Sequence, residues 1–337
     1  MTEEISLADY TTLRIGGPAR MVRADTAEEL VDAVREADDD GQPVLLVGGG
    51  SNLLISDTGF DGRVVLIGTR GVSVGEHGDA VVLDVQAGED WDALVARSVA
   101  EGWAGIEGLS GIPGRVGATP VQNVGAYGAE TADVLESVEV WDRAAGVRRT
   151  MRAAECGFGY RSSIFKFSHR YVVLSVRLRL ERSRRSAPVR YAELARALGV
   201  AVGERADLAD TREAVLGLRR SKGMVLDAED HDTWSAGSFF TNPIVAPEAV
   251  PDGAPAYDAG EGLAKTSAAW LIDHAGFGKG FGNERAALSG KHTLALTNRG
   301  GASAEDILAL AREIRAGVRG AFAIELHPEP LLIGCAL

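Results

Sequence analysis

The sequence predicts a mixed α/β fold in two parts, on three observations. An amphipathic helix feeds directly into an apolar strand and a glycine loop, a long glycine-rich segment lacks periodicity, and a polar stretch near residue 185 precedes a new set of helices. Thr26-Ala-Glu-Glu29 has the form of a capping box, and Leu30, Val31, Val34 and Ala37 recur at helical spacing until Asp38-Asp-Asp-Gly41. Pro43-Val-Leu-Leu-Val47 is a continuously apolar run, the pattern of a strand buried on both faces, and it empties into Gly48-Gly49-Gly50-Ser51-Asn52. Strands at 63–67 and 81–85 and a helix from Trp91 to about Ala100 continue the α/β pattern.

From Gly102 to Gly128 regularity is lost. Glycine recurs at 102, 105, 108, 111, 114 and 117, but the repeat is short, poor in proline and bulky between the glycines, which excludes collagen. A loop this long with Ile, Leu, Val and Trp throughout is not composed like a disordered one, and glycine suits a backbone that must approach a ligand closely. Beyond it, 138–141 and 147–151 bracket Asp142-Arg-Ala-Ala-Gly146 as a hairpin. The run 171–180 ends with Val176, Leu178 and Leu180 inward and Arg177 and Arg179 outward. The polar Glu181-Arg-Ser-Arg-Arg-Ser-Ala-Pro188 reads as a solvated linker, dividing the chain into residues 1–182 and 183–337. In the second part a helix over 266–275 closes with Gly276. Ser303-Ala-Glu-Asp306 caps another with Ile307, Leu310, Ala311, Ile314 and Val318 on one face, and a strand over 324–333 ends the chain.

Composition narrows the function classes. The 337 residues include 42 glycines, about 12 % against an ordinary 7 %, while 45 % hydrophobic and 25 % charged residues are normal for a folded protein. A formal charge of −13 repels phosphate backbones and anionic lipid, so nucleic acid is a poor default partner. No apolar stretch approaches the ~20 residues of a spanning helix, and MTEEISLADY is acidic where a signal peptide is basic; a cytoplasmic location is expected. Cys156 and Cys335 are too few and too far apart for a redox pair or a zinc site and read as small apolar residues, and no HExxH frames a metal.

Four motifs carry candidate chemistry. Gly48-Gly-Gly-Ser-Asn52 is either an ordinary turn or a concavity of successive N–H groups for an anion; Leu53 stands where a dinucleotide fingerprint needs its third glycine. Gly276-Phe-Gly-Lys-Gly280 lacks the Ser or Thr of a Walker loop. Gly157-Phe-Gly-Tyr-Arg-Ser-Ser-Ile-Phe-Lys166 is either core aromatics with surface charges or a polar site beside a strand. Gly237-Ser238-Phe-Phe240 sets a hydroxyl in apolar company, where it must find a partner, and no GxSxG elbow makes it a hydrolase nucleophile. His327-Pro-Glu329-Pro330 is either a surface turn or a rigidly placed carboxylate.

Taken in order, these segments resemble the UDP-N-acetylenolpyruvoylglucosamine reductase family, in a type I-like form, over nearly the whole chain. The carrying residues are Thr12-Leu-Arg-Ile-Gly-Gly17, Gly48 to Asn52, Gly111-Ile-Pro-Gly114, Pro120-Val-Gln-Asn-Val-Gly-Ala-Tyr-Gly128, Gly159 to Lys166, Gly237 to Phe240, Lys265-Thr-Ser-Ala-Ala-Trp-Leu-Ile-Asp273 and Pro328-Glu329. The resemblance implies an FAD-binding domain of the vanillyl-alcohol-oxidase type, in two lobes, over residues 1–182. A smaller α/β substrate-binding domain takes 183–337, its last strand returning to the FAD domain. It implies a monomer acting on UDP-N-acetylglucosamine enolpyruvate with NADPH as hydride donor. By the same resemblance Arg161, Ser238 and Glu329 are catalytic, and Tyr160, Tyr191, Lys222 and Asn242 bind substrate or NADPH. Gly48, Gly49, Gly50, Ser51, Asn52, Gly114, Gly117, Gln122, Asn123 and Gly125 line the FAD. Two positions depart from the family pattern: His327 stands where a second glutamate is usual, and Thr241 where lysine is. Two other classes stay open: a flavin oxidase of the same superfamily acting on a small alcohol, and a non-catalytic flavin- or sugar-nucleotide-binding regulator.

Overall fold

The strand Tyr171–Arg182 is the longest of the chain and organises its N-terminal half. Val176, Leu178 and Leu180 alternate with the exposed Arg177 and Arg179, and each of the three is at most 1 % exposed. In the computed structural model, which describes residues 3–337, this strand pairs antiparallel with Leu135–Asp142 on one side and Ala80–Gln86 on the other. Val147–Arg152 and Val72–His77 extend the sheet outward. Register sets Val176 opposite Val85 and Val138, Leu178 opposite Leu83 and Leu180 opposite Val81, so one face is continuously apolar. The interleaved Arg177 faces Asp84 and clasps it at 2.6 and 3.0 Å.

Two helices are anchored to this sheet. Helix α1, Ala27–Asp39, carries the full capping box between Thr26 and Glu29 and packs Leu30, Val31 and Val34 with Val65, Trp141, Val172 and Leu174. Helix α2, Trp91–Glu101, is capped by Asp90 and buries Trp91, Leu94 and Val95 beside Val81, Leu83 and Val85. Val44–Val47 pairs in parallel with the strand Phe60–Ile67. It alternates between buried and half-buried residues where the sequence suggested burial on both faces. Its half-buried Val44 and Leu46 pack on the α1 cluster, which accounts for the apolar run.

Packing divides the chain into two units: residues 1–3, 20–49 and 61–221, and residues 4–19, 50–60 and 222–337. This division lies elsewhere than the 182/183 boundary read from the sequence, for a physical reason. Glu181 and Arg182 continue the long strand and pair with Ala104 and Trp103, Ser186 is fully buried, and the Ala187 N–H donates to Glu107 at 2.5 Å. The charges of the run lie at the solvated edge, where Arg182 pairs with Glu76 and Arg205 with Glu181. Helices α3, Ala192–Leu198, and α4, Leu208–Ser221, join the first unit through Val189, Leu194, Ala195 and Val215.

The second unit is built around helix α6, Ala304–Phe322, whose capping box and buried stripe of Ile307, Leu310, Ala311, Ile314 and Val318 match the sequence reading. Helix α5, Ala268–His274, starts later than expected because Ala264–Thr266 is a strand and Ser267 is the cap. The expected closing strand is also shorter: only Leu331–Ile333 is extended in a ladder, pairing in parallel with Leu53–Ile55 of the same unit. The two prolines at 328 and 330 lack the N–H groups a longer ladder needs.

Asp142, at the hairpin end of its strand, is fully buried and receives Arg170 at 2.7 and 2.9 Å, with Arg149 at 3.5 Å. The Arg170 hydrogen bonds hold its carboxyl down at about 2. A folded-state value below the unfolded one of about 3.9 means this stabilisation is complete above that value and is lost as pH falls toward 2. Urea unfolding of Asp142→Asn should therefore show a deficit at neutral pH that shrinks below about pH 4; a deficit independent of pH would contradict the ionised carboxylate as its source. In the second unit, Ile314→Ala should cost about 2–5 kcal/mol by the same measurement.

Candidate active site

After Val47 the chain leaves its parallel ladder through Gly48 and Gly49, and a second loop, 111–117, comes against it. A Cβ on Gly49 would lie 2.7 Å from the Gly114 Cα, and one on Gly117 would lie 2.5 Å from the Ala87 Cβ. The sequence reading attributes these glycines to the close approach of a ligand. Their immediate cause is backbone packed on backbone, which leaves no volume for a side chain. The contact has a polar consequence. Among the described residues, the N–H groups of Gly48, Gly49, Gly50 and Ser51 have no hydrogen-bond acceptor, and neither do those of Gly114 and Arg115. The Gly117 N–H, expected in the same role, is spent on the Ala87 carbonyl at 2.8 Å. Successive unspent N–H groups in a tight loop form a concavity of positive potential suited to an anion.

A second cluster of the first unit lies at 121–128 and 159–166. Asn123 is 1 % exposed with a left-handed φ of 45°. Its amide donates to the Gly159 carbonyl at 3.3 Å and accepts the Ala132 N–H at 3.0 Å, so its side chain ties the two segments together. Arg161 also sits at positive φ, 51°, with its guanidinium donating to the Gly125 carbonyl at 2.6 Å and Lys166 donating to its own carbonyl at 3.1 Å. Ser163 locks the same turn to the Val121 carbonyl at 2.6 Å. Gln122 is half-buried on this loop, and Tyr160 stands 37 % exposed. Tyr191 meets Tyr127 edge to face at 5.5 Å.

Two polar residues here escape a reading of the sequence alone. Burial pushes the Tyr127 hydroxyl up to about 12, and burial lowers the Arg219 guanidinium to about 10 against the opposing pull of Tyr127 and Asp92. Tyr127 lies within a recognisable segment, but Arg219 sits on α4 with no motif around it.

In the second unit the ladder joins two distant motifs. The Glu329 N–H donates to the Phe239 carbonyl at 2.8 Å, Phe240 bridges Pro328, and the Thr241 N–H donates to the His327 carbonyl at 3.0 Å. Ser238 and Glu329 are thereby carried on neighbouring backbone, both half-buried, above Phe239 and Phe240, which are 1 % exposed. Asn52 joins them: its amide donates to the Glu329 carbonyl at 3.4 Å and its carbonyl accepts the Leu331 N–H at 3.0 Å. Asn242 accepts the Ala268 N–H at 3.0 Å at the start of α5, and Lys222 is half-buried before Gly223. His327 is exposed and contributes its backbone to the ladder.

Two family models match the chain. A family model described as FAD binding domain matches residues 18–151, and one described as UDP-N-acetylenolpyruvoylglucosamine reductase, C-terminal domain, matches residues 229–333. The chain is 55 % identical to the UDP-N-acetylenolpyruvoylglucosamine reductase of Cutibacterium acnes, over 99 % of this chain and 91 % of that one. It is 57 % identical to that of Saccharopolyspora erythraea, over 98 % and 95 %. The crystal structure of the reductase from Thermus caldophilus superposes with a TM-score of 0.69 at 30 % identity, covering 99 % of both chains.

The loop contact is testable by stability alone. Gly49→Ala has only backbone to push against and should cost about 1–3 kcal/mol. Gly217→Ala, in α4 with nothing within 4 Å, should stabilise by about 0.5–1 kcal/mol. Equal effects of the two on the thermal midpoint would refute the packing account.

Proposed function

The chain belongs to the UDP-N-acetylenolpyruvoylglucosamine reductase family, and from that premise we propose that it reduces UDP-N-acetylglucosamine enolpyruvate to UDP-N-acetylmuramate, a step in peptidoglycan precursor synthesis, with FAD and NADPH. FAD held at the glycine loops would supply hydride-transfer chemistry between NADPH and the enolpyruvyl ether of the substrate. The residues present fit the group: in the first unit the N–H groups of Gly48, Gly49, Gly114 and Arg115 are unspent, as a diphosphate requires, and a Cβ on Gly49 would close the loop pair. The FAD role falls to the glycine loops and the 121–128 segment, and the substrate role to the segments that carry Ser238 and Glu329. A cytoplasmic monomer is the form this reading favours, and among the described residues no helix is long and apolar enough to cross a membrane.

The substrate's terminal carbon accepts a hydride only as negative charge develops on the adjacent carboxylate. Arg161 and Glu329 act at that carboxylate, and Ser238 delivers the proton to the neighbouring carbon, which completes the addition across the double bond. What supports these roles is the fixed backbone beneath each group. Arg161 is held by Gly125 and Lys166, and Ser238 and Glu329 by the ladder at Phe239. A serine hydroxyl is a weak acid, so its effectiveness depends on placement; a positioned acid contributes typically about 10²–10⁴-fold. Tyr160, Tyr191, Lys222 and Asn242 bind the nucleotide parts of substrate and NADPH. Gln122, Asn123 and Gly125 border the flavin ring, Asn123 acting through the backbone that its engaged amide holds in place.

Purified protein given NADPH and the enolpyruvyl substrate should show flavin absorbance in the visible and substrate-dependent NADPH loss; absence of both would reject the reading. Stopped-flow measurement of the two half-reactions tests the proton donor. Ser238→Ala should leave flavin reduction by NADPH near wild type and slow reoxidation by substrate by about 10²-fold or more. Equal slowing of both would make Ser238 a structural residue.

A further inference from the structure

Arg115 follows Gly114 directly and lies against the first glycine loop, with its Cγ 3.2 Å from where a Gly48 Cβ would stand. Its side chain is only 28 % exposed and carries five N–H donors. Among the described residues one hydrogen bond engages them, to Asp90 at 3.4 Å, which is long for a charge-assisted contact. That carboxylate is shared, since its other oxygen caps α2 by accepting the Ala93 N–H at 3.0 Å. Burial first, and then the charge of Arg70, push the Arg115 guanidinium below its ordinary value, against the opposing pull of the Asp90 and Glu89 carboxylates. A half-buried cation with spare donors, bordered by the unspent backbone N–H groups of Gly48, Gly49 and Gly114, is a site arranged for an anion.

We propose that Arg115 is a flavin-binding residue whose guanidinium takes up the charge of the FAD diphosphate, so that the chain's choice of FAD over diphosphate-free flavins depends on this side chain. The inference rests on the FAD reading and adds to it a residue for which the glycine motif itself has no role. The backbone N–H groups orient the diphosphate through fixed dipoles, while Arg115 supplies the full charge that the loop lacks. The two contributions differ in salt dependence, because only the guanidinium contact is an ion pair.

The test is flavin affinity, independent of turnover. FAD is removed from the purified holoenzyme and returned by titration, followed by flavin fluorescence, at low and high ionic strength, with riboflavin as the ligand lacking phosphate. Arg115→Gln should weaken FAD about 10- to 100-fold, flatten its salt dependence and leave riboflavin affinity unchanged, and Arg115→Lys should recover part of the loss. Asp90→Asn keeps the helix cap while removing the competing charge, and should tighten FAD several-fold. FAD binding unchanged in Arg115→Gln, FAD and riboflavin weakened equally, or no tightening in Asp90→Asn would each overturn the inference while leaving FAD as the cofactor. Wild-type protein that binds neither flavin would overturn the cofactor reading itself.

Discussion

The contact on which the first unit depends is the approach of one glycine-bearing backbone to another. The chain entering α2 and the segment 114–117 run alongside each other through three hydrogen bonds, Trp91 N–H to Gly114, Val116 to Glu89 and Gly117 to Ala87, each between 2.8 and 3.1 Å. With Gly117 lying on Ala87 and Gly49 on Gly114, there is no room for a side chain at Gly49 or Gly117. A loop without periodicity is thereby held as firmly as a strand. Carboxylates complete the fixing. Asp92 accepts the Gly111 N–H at 2.6 Å while clasped by Arg212 at 2.7 and 2.9 Å, and the buried Glu107 accepts the N–H groups of Gly105 and Ala187. The unspent N–H groups are those left over once this internal pairing is satisfied.

Much of the fold is legible in the sequence because it follows from local rules. Capping boxes at Thr26 and Ser303 and the alternation of Val176, Leu178 and Leu180 each report their own secondary structure. What escapes is partner choice. Nothing between residues 238 and 329 announces that Phe239 and Glu329 will share a hydrogen bond, since a ladder this short carries no period of its own. The charge run at 181–188 misleads for a related reason: charge reports which atoms reach solvent, whereas Ser186 and the Ala187 N–H beneath it are part of the core. The segment is polar in composition and structural in role.

The candidate site separates into groups already committed and groups with reach. Asn123 and Asn242 spend side-chain amides on backbone, and Arg161 spends part of its guanidinium on Gly125. Such residues are oriented before any ligand arrives, which lowers the ordering cost of binding. The left-handed φ values of Asn123 and Arg161 belong to the same economy. Each costs roughly 1–2 kcal/mol for a residue with a side chain, and the hydrogen bonds made from that conformation offset it. Tyr160, with the Arg161 guanidinium 5.5 Å from its ring centre, and Tyr191, edge to face with Tyr127, are more than a third exposed and contribute large flat surfaces with few rotatable bonds.

This separation resolves the apparent conflict between an acidic chain and its anionic ligands. A formal charge of −13 describes the far field, which a Debye length of about 8–10 Å removes at physiological salt. Within a hydrogen bond's reach the sign is set by local groups, and here these are backbone N–H dipoles, which carry no formal charge, with cations nearby. Many surface arginines are neutralised in place, as Arg177 is by Asp84, Arg205 by Glu181 and Arg143 by Asp38, so they add little to any ligand's field. An arginine with only a shared and distant carboxylate is a different electrostatic object. Arg115 shows how a net-negative protein concentrates positive potential beside the unspent N–H groups of Gly48, Gly49 and Gly114. Net charge therefore decides the protein's long-range behaviour, and the pairing of individual arginines decides what its loops hold.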